Sequence, residues 1–357
     1  RRMQGGRSGP MAPVRSAETV PGLRQRIAGA SRGSDAILML RGEPRAGTPD
    51  FAKAVQRCGE LRDYDRLCEV VQLQRDRGLP CSKQQFGIIF TALARTSQGA
   101  DGRGSTRADR ANALQYGKLV WRTVNESHAA LDLPQYGAAL ELCARAGDAD
   151  WAREIWSQLH GRGLRPDSAG HTQYVHALAR HGGPAGWDEV RVVVRDVVES
   201  GAEVTAFMLS VLLNAAASQH DLAQAEWAWQ DLSPRIAEPD GIMYCVMAKA
   251  MLLCNQAVKV PPLRGDMARR NVTPNFRFLK NEAQAHLLML QASPSVPDHI
   301  ANLREVAAMA ATQQKAQPVS RNEMGELSRM QVLADRILAG ERVRRSEVQV
   351  EQWHWPT

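Results

Sequence analysis

A helical pattern that repeats about every 35 residues constrains this chain more than any other feature. Apolar residues recur at three- and four-residue steps in runs, and each pair of runs closes with a short turn of similar composition. These turns end at positions 167, 205, 240 and 275, so the steps between them are 38, 35 and 35 residues. Such a period is typical of solenoids, whose neighbouring hairpins share one core because a single hairpin cannot bury its own apolar face.

The clearest repeat occupies residues 133–167. Tyr136 and Leu140 belong to a run with helical spacing, which predicts a first helix with one buried face. A second run of the same kind follows after a short turn. We expect it to stop at Gly163, which can adopt the left-handed conformation at a helix end, and Pro166 prevents its continuation.

The same register extends to both sides and divides the chain into three parts. Residues 1–47 form a basic, partly disordered segment, similar to a transit-peptide remnant because it is rich in Arg and poor in acids. Residues 292–357 are predicted to form a helical cap and a tail that contains Trp353 and Trp355. Between them, residues 48–291 form the repeat array, divided as 48–82, 83–132, 133–167, 168–205, 206–240, 241–275 and a partial repeat at 276–291. The second repeat is longer because of an insertion rich in Gly and Ser at 97–107.

The ending Gly163-Leu164-Arg165-Pro166-Asp167 closely resembles the Gly-apolar-x-Pro-Asp ending of the pentatricopeptide repeat (PPR) family. The steps of 35 residues favour that family over the tetratricopeptide repeat, whose period is about 34. The resemblance implies an all-α fold, a right-handed α-solenoid of stacked helix-turn-helix repeats with a helical C-terminal cap. It also implies a protein of an organelle, the mitochondrion or alternatively the plastid.

Composition is compatible with an anionic partner and gives no sign of membrane insertion. The chain of 357 residues has a net charge of +7 and a pI near 9.3, and a basic balance is typical of proteins that meet polyanions. No run approaches the ~20 apolar residues that a membrane helix needs. The six cysteines lack paired C-x-x-C spacing, which favours a reducing compartment over a disulfide framework.

In the PPR family, single-stranded RNA lies along the face lined by the first helices, and each repeat reads one base. The resemblance places base-facing pairs at the fifth and last residues of each repeat. These pairs are Ala52 with Ser82, Gly87 with Asp132, Gly137 with Asp167, Thr172 with Thr205, Ser210 with Asp240, and Cys245 with Asn275.

Only Ser210 with Asp240 is close to a purine-selecting pair of that family. Ala52, Gly87 and Gly137 have no side-chain group that could hydrogen-bond a base edge, so sequence-specific reading is doubtful. The alternative interpretation is that the fifth and last residues are surface and exit-turn positions without a role in RNA binding.

Three arginines provide a second candidate feature of the resemblance. Arg95, Arg145 and Arg180 occupy one register late in the first helices of consecutive repeats, where PPR proteins carry basic residues near the RNA backbone. Stacked helices would align them for contact with phosphates. The alternative is that they are solvated side chains whose charge suits the carboxyl end of a helix.

No grouping of residues predicts an enzyme. The H-x-E and P-C-x-x-C motifs of the deaminase extensions found on some PPR proteins are absent after Asn275. His171, His176 and His181 recur at five-residue steps, which scatters them around a helix. We therefore expect no catalytic residue, metal, cofactor or small-molecule substrate.

These observations favour a non-catalytic, RNA-associated PPR protein that acts as a structural or stabilising component of an organelle ribonucleoprotein, such as a mitochondrial ribosome. Its partners would be single-stranded or ribosomal RNA and the protein subunits of that assembly. Two alternatives stay open. One is a free organelle RNA-binding factor for transcript processing, stability or translation, and the other is a tetratricopeptide-like protein scaffold without RNA.

Overall fold

The structure is a computed structural model that describes residues 20–61, 63–96, 106–126, 131–181, 183–292, 297–316 and 321–339, with positions 341, 343 and 347. Within these ranges the secondary structure is helical. The chain divides into two compact units, residues 1–138 and 139–357, and the division falls inside one helix. Residues 1–19, most of the predicted insertion at 97–107 and the tryptophans of the tail lie outside the described residues.

The first unit is built from helical hairpins. Its helices are α1 (Leu23–Ala28), α2 (Gly33–Arg41), α3 (Thr48–Glu60), α4 (Tyr64–Asp76), α5 (Lys83–Thr96), α6 (Arg107–Glu126) and the beginning of α7 (Leu133–Ala146). The first helices α1, α3 and α5 pack on one another in order, while α2, α4 and α6 each pack on the helix before them. Phe90, Trp121 and Tyr136 form an edge-to-face aromatic core, with ring centroids 5.9 and 5.5 Å apart.

The second unit continues the same arrangement. It contains the end of α7 and, in order, α8 (Ala149–Gly161), α9 (Ser168–His181), α10 (Gly183–Glu199), α11 (Ala206–Ser218), α12 (Leu222–Leu232), α13 (Gly241–Leu253), α14 (Pro262–Arg269), α15 (Phe276–Ala292), α16 (Pro297–Ala316) and α17 (Arg321–Leu338). First helix packs on first helix from α9 through α11 and α13 to α15, and α10, α12, α14 and α16 each cover their own first helix. Both units are therefore stacks of hairpins.

Two predicted boundaries need correction. Residues 20–47, assigned to a partly disordered basic segment, contain α1 and α2, and α1 packs on α3. The buried side chains of Leu23 and Ile27 lie one helical turn apart and supply the apolar contact. At the other end, α15 is not a partial repeat, because α16 packs along it and completes the hairpin, and α17 packs on α15 in turn.

The sequence sets the start and end of the helices through specific side chains. Asp148 begins α8, since its Oδ1 accepts a hydrogen bond from the Trp151 amide at 2.9 Å. Gly163 follows the end of α8 with φ +71°, and Asn271 takes the equivalent conformation after α14 with φ +55°. Positive φ at these positions turns the chain out of one hairpin and into the next.

Some basic side chains bind backbone carbonyls of the preceding repeat. Arg77 donates from Nη2 to Leu40 O at 2.7 Å, and Arg270 donates from Nη2 to Ser233 O at 2.7 Å. Arg77 and Arg270 occupy the same place in their repeats, 30 residues into 48–82 and 241–275. These guanidinium groups hold successive hairpins together. Part of the positive charge of the chain is therefore used within the protein and is not available to a partner.

Candidate nucleic-acid interface

Positions two, five, nine and thirteen of each repeat lie on one side of its first helix, because residues three and four apart are neighbours on a helix. In α11 these positions are Phe207, Ser210, Asn214 and Ser218. Within each unit, we call the surface formed by these four positions of its first helices the first-helix face. The predicted base-facing fifth residues and the predicted arginines, at position thirteen, both belong to this face.

In the four repeats that end at positions 167, 205, 240 and 275, the last residue has a structural task at the start of the next first helix. In each case a side-chain oxygen accepts a hydrogen bond from a backbone amide of that helix. The pairs are Asp167 with Gly170 at 2.7 Å, Thr205 with Met208 at 3.2 Å, Asp240 with Met243 at 2.9 Å, and Asn275 with Phe278 at 2.8 Å. One oxygen of each predicted partner is thus already used within the protein.

In two repeats, the last residue lies close to the first residue of the same repeat. In the first unit, Lys83 at the start of its repeat lies 3.0 Å from the Asp132 carboxylate at the end of the same repeat, measured from Nζ to Oδ2. In the second unit, a methyl group added at Gly241 would lie 2.9 Å from Nδ2 of Asn275. The last residue therefore lies beside the beginning of its own first helix, as a two-residue contact with one base would require.

The fifth residues of the second unit are largely withdrawn from solvent. Thr172 is 2% exposed and donates its hydroxyl to Ser168 O at 2.8 Å. Ser210 and Cys245 are 8% and 5% exposed, because each lies where one first helix packs on the next. Gly137, in the first unit, has free space where a side chain would stand, but glycine has no side chain to place there. Base contact by the fifth residues stays a prediction, and this packing does not favour it.

Exposed apolar side chains occupy position two instead. Phe207 is 61% exposed on α11 and Ile242 is 50% exposed on α13, and the two are 35 residues apart. These two residues were not predicted from the sequence. A sequence signal for them existed. Both repeats have an apolar residue at position two, although the buried residues of the first helix begin only at position three, with Met208 and Met243.

Two of the three predicted arginines come together in the second unit. Burial first, and then repulsion by Arg180, His181 and Arg145 in that order, together lower the pKa of His176 to about 3. Arg145 also forms an ion pair with Glu141 at 2.6 Å. Arg145 and Arg180 therefore both lie close enough to the His176 imidazole to disfavour its charged form.

The third arginine, Arg95, lines a groove in the first unit. The groove lies between α3 and α5 and has a volume of about 550 Å³. Its lining includes Gln56 and Glu60 from α3, with Gly87 and Arg95 from α5. A predicted base-facing position and a predicted phosphate-facing position thus share one groove, and Arg95 is exposed there.

The described residues lack a cluster of metal ligands, and two of their buried cysteines have unreactive thiols. They contain no group of three or more His, Cys, Asp or Glu side chains that could hold a metal ion. Burial raises the pKa of the Cys58 thiol to about 12 and of the Cys245 thiol to about 11, so neither is an activated nucleophile. Among the described helices none combines the length and the apolar content needed to cross a bilayer.

No protein-family model and no curated protein sequence matches the chain. Among solved structures, the chain is similar to the pentatricopeptide repeat protein PPR10 from maize, with a TM-score of 0.60, 16% identity, and coverage of 89% of this chain and 42% of that one. PPR10 in complex with an 18-nucleotide psaJ RNA element is similar with a TM-score of 0.51, 16% identity, and coverage of 91% and 46%. This chain spans less than half the length of those structures. The predicted all-α PPR fold is confirmed by this likeness, which concerns the fold alone.

Proposed function

We propose that this chain is a non-catalytic RNA-binding PPR protein that holds single-stranded RNA against its first-helix face. The observation that carries the proposal is the meeting of positive charge and exposed apolar side chains on that one face of the second unit. Arg145 and Arg180 supply charge at position thirteen, and Phe207 and Ile242 supply exposed apolar surface at position two. Proteins that bind single strands combine cations that follow the phosphates with aromatic side chains that stack on bases, and an aliphatic side chain such as Ile242 can add apolar contact with a base.

The mode of binding that this face supports is tolerant of sequence. Buried fifth residues such as Thr172 and Ser210 offer few hydrogen-bonding groups to base edges. Phosphate contacts position a strand but carry no sequence information, and stacking accepts every base. The similarity in fold to PPR10 in complex with an 18-nucleotide psaJ RNA element supports RNA binding by this chain. We therefore propose that this protein holds RNA rather than selecting a target by its sequence.

We extend the proposal to a structural or stabilising component of an organelle ribonucleoprotein, with the mitochondrial ribosome as the first assembly to test. A sequence-tolerant RNA face suits a subunit that stays in one place better than a factor that must find one transcript. The basic composition, with a pI near 9.3, supports contact with an RNA-rich particle. A free organelle RNA-binding factor is the alternative.

The RNA-binding proposal is tested by replacing the three arginines at position thirteen. We expect the variant Arg95→Gln, Arg145→Gln, Arg180→Gln to bind a labelled single-stranded RNA more weakly. Three phosphate contacts are lost, so the slope of log K against log salt should fall by about 2, at about 0.7 for each contact with a single strand. Fluorescence anisotropy over a range of salt concentrations measures both quantities.

A matched control changes the same number of charges on second helices. Arg66, Arg153 and Arg191 lie on α4, α8 and α10 and form ion pairs with acidic side chains. Their triple Gln variant should keep the salt slope of the unchanged protein. If both triple variants behave alike, or neither alters binding, the arginines at position thirteen do not contact phosphates. A chain that binds no RNA at all would favour the protein-scaffold alternative.

The assembly is tested separately by fractionation of organelle extract. A subunit should co-migrate with ribosomal particles through a high-salt wash, whereas a free factor should appear as the separate protein. Release of the whole population by salt would contradict the proposed subunit while leaving RNA binding intact.

A further inference from the structure

The groove between α3 and α5 is a cavity on the first-helix face of the first unit. Its volume of about 550 Å³ is within the range of pockets that hold small ligands. Ala92 is the buried residue of its lining, which also includes four exposed polar side chains. These four are Gln56 and Glu60 at positions nine and thirteen of the first repeat, and Gln84 and Arg95 at positions two and thirteen of the second.

Two helical glycines make room in this groove. Gly59 and Gly87 lie inside α3 and α5, where glycine is among the least favourable residues because it loses the most backbone freedom. A Cβ added at Gly59 would lie 3.6 Å from the Cβ of Ala92, which is an ordinary contact. One added at Gly87 would lie 3.9 Å from Nε2 of Gln135. Neither the helical backbone nor the packing therefore requires glycine here, and the two glycines provide space between the helices.

The groove is long enough for a base together with its phosphate. Gln84 and Arg95 both line it and are eleven residues apart on α5, which is about 16 Å along the helix axis. Gly87 lies one turn after Gln84 on the same face. The free space at the glycine is therefore next to the amide, and the guanidinium stands towards the other end.

The charges of the lining suit a phosphate at the Arg95 end. Glu60 is the acidic residue of the lining, and it already forms an ion pair with Arg57 at 3.1 Å and accepts a hydrogen bond from Gln56 Nε2 at 3.0 Å. Arg95 is exposed at the same groove. A guanidinium presents a planar fork of donors that matches phosphate oxygens.

Gln84 supplies a group that distinguishes bases. A primary amide carries both a donor and an acceptor, and a glutamine amide pairs with N6 and N7 of adenine. Bases of single-stranded RNA can be turned out of the stack, so that a protein contacts their edges. The groove thus combines space for a ring, an amide for its edge and a cation for its phosphate.

We propose that the groove between α3 and α5 binds one adenine nucleotide of the bound strand, with the base inserted beside Gly87, its edge on the Gln84 amide and its phosphate on Arg95. The inference rests on the proposed RNA binding and adds one position of base preference to a sequence-tolerant face. It differs from the contact that the resemblance predicts for this repeat. The fifth residue contributes space instead of a hydrogen bond, and the last residue, Asp132, takes no part.

The site itself is tested with the full chain and adenosine 5′-monophosphate, without RNA. Isothermal titration should show saturable binding that is lost in Gly87→Leu, because leucine fills the space at the groove. Gly137→Leu is the matched control, since it adds the same side chain at position five of the next repeat, where an added Cβ has no neighbour within 4 Å. Leucine favours a helix more than glycine does, so both variants should melt no lower than the unchanged protein.

The variant Gln84→Ala tests recognition of the base edge without altering the core, because this side chain is exposed. The unchanged protein should bind adenosine 5′-monophosphate about 5- to 150-fold more tightly than uridine 5′-monophosphate, the discrimination that a good bidentate pair gives. In Gln84→Ala this preference should disappear. A preference that persists in that variant would overturn the role of the amide.

Binding to a strand is then measured by fluorescence anisotropy. A labelled oligouridine strand with one central adenine should bind more tightly than the same strand without adenine. The advantage should be lost in Gly87→Leu and kept in Gly137→Leu. If the mononucleotide binds but the adenine gives the strand no advantage, the claim that the nucleotide belongs to the strand is overturned.

This inference and the proposed RNA binding fail in different ways. A chain that binds both strands equally and binds no mononucleotide overturns the adenine site, while RNA binding stands. Mononucleotide binding that survives in Gly87→Leu, or that falls equally in Gly137→Leu, overturns the groove as its location. A chain that binds no RNA but loses mononucleotide binding in Gly87→Leu alone overturns the proposed function and retains the site.

Discussion

Replacing Arg270 by Gln removes the guanidinium that joins the exit of one repeat to the exit of the repeat before it. Nη2 of Arg270 donates to Ser233 O at 2.7 Å and to Ile236 O at 3.2 Å, and these acceptors are backbone carbonyls in a partly buried turn. Glutamine is shorter and uncharged, so it cannot reach both carbonyls. The neighbouring Arg269 is a matched control, because its side chain is 72% exposed and pairs with Asp266 one turn away.

The expected cost follows from the hydrogen bonds that are lost. A hydrogen bond from a charged donor contributes about 1.5–3 kcal/mol, and water can replace part of it in a partly buried turn. We therefore expect Arg270→Gln to lower the free energy of unfolding by about 2–4 kcal/mol. Arg269→Gln loses an exposed ion pair, for which about 0–1 kcal/mol is usual.

Hydrogen exchange is the suitable assay because repeats unfold locally and each contacts only its neighbours. Amides at the end of α12 and the start of α13 should exchange faster in Arg270→Gln, while those of the first unit keep their rates. Urea unfolding measures the overall loss. The salt slope of RNA binding should not change in this variant, because Arg270 faces carbonyls and not the first-helix face. Equal protection of these amides against hydrogen exchange in Arg269→Gln and Arg270→Gln would refute this division of the arginines into structural and RNA-facing groups.

Three further perturbations test other parts of the structure. Phe207→Ala and Ile242→Ala remove exposed side chains, so both should leave the melting temperature unchanged. Phe207→Ala should weaken RNA binding by about 1–3 kcal/mol, the contribution of an aromatic ring stacked on a base, and Ile242→Ala should weaken it by less; unchanged affinity of both variants would exclude contact with bases. Gly186→Ala places a methyl group 2.4 Å from Leu178 O, so it should force α10 away from α9 and lower the melting temperature, whereas normal melting would show that the hairpin can adjust. Burial raises the pKa of Glu282 from 4.5 to about 7, so the folded state favours the protonated acid. The contribution of this group to the free energy of unfolding is fully present below pH 4.5 and is lost as the pH rises through about 7. This loss is on the order of 3 kcal/mol and should be absent in Glu282→Gln when urea unfolding is compared at pH 5 and pH 8; the same pH dependence in both proteins would contradict it.

The repeat register was accessible from the sequence because local chemistry sets it. Helices α7, α9, α11 and α13 begin at Leu133, Ser168, Ala206 and Gly241, which are the first residues of the predicted repeats. Each start depends on a cap and each end on a turn, so a few residues in fixed order are sufficient. Helix α1, in contrast, was not predicted. Its surroundings have a basic composition, and its apolar pattern consists only of Leu23 and Ile27.

The candidate interface was only partly accessible, since it depends on how closely neighbouring first helices approach. Thr172 has a suitable hydroxyl, but only the packing of α9 shows that it is buried and bonded to Ser168.

The caps at the ends of the repeats limit how this protein could be re-engineered. The last side chain of a repeat, such as Asp240, both starts the next helix and lies where a redesign for base preference would be attempted. Few side chains can cap a helix well, chiefly Asp, Asn, Ser and Thr, and losing the cap costs about 1 kcal/mol. Few residue types are therefore suitable at these positions in a redesign. Any other residue would destabilise the junction between hairpins before it altered any preference for a base.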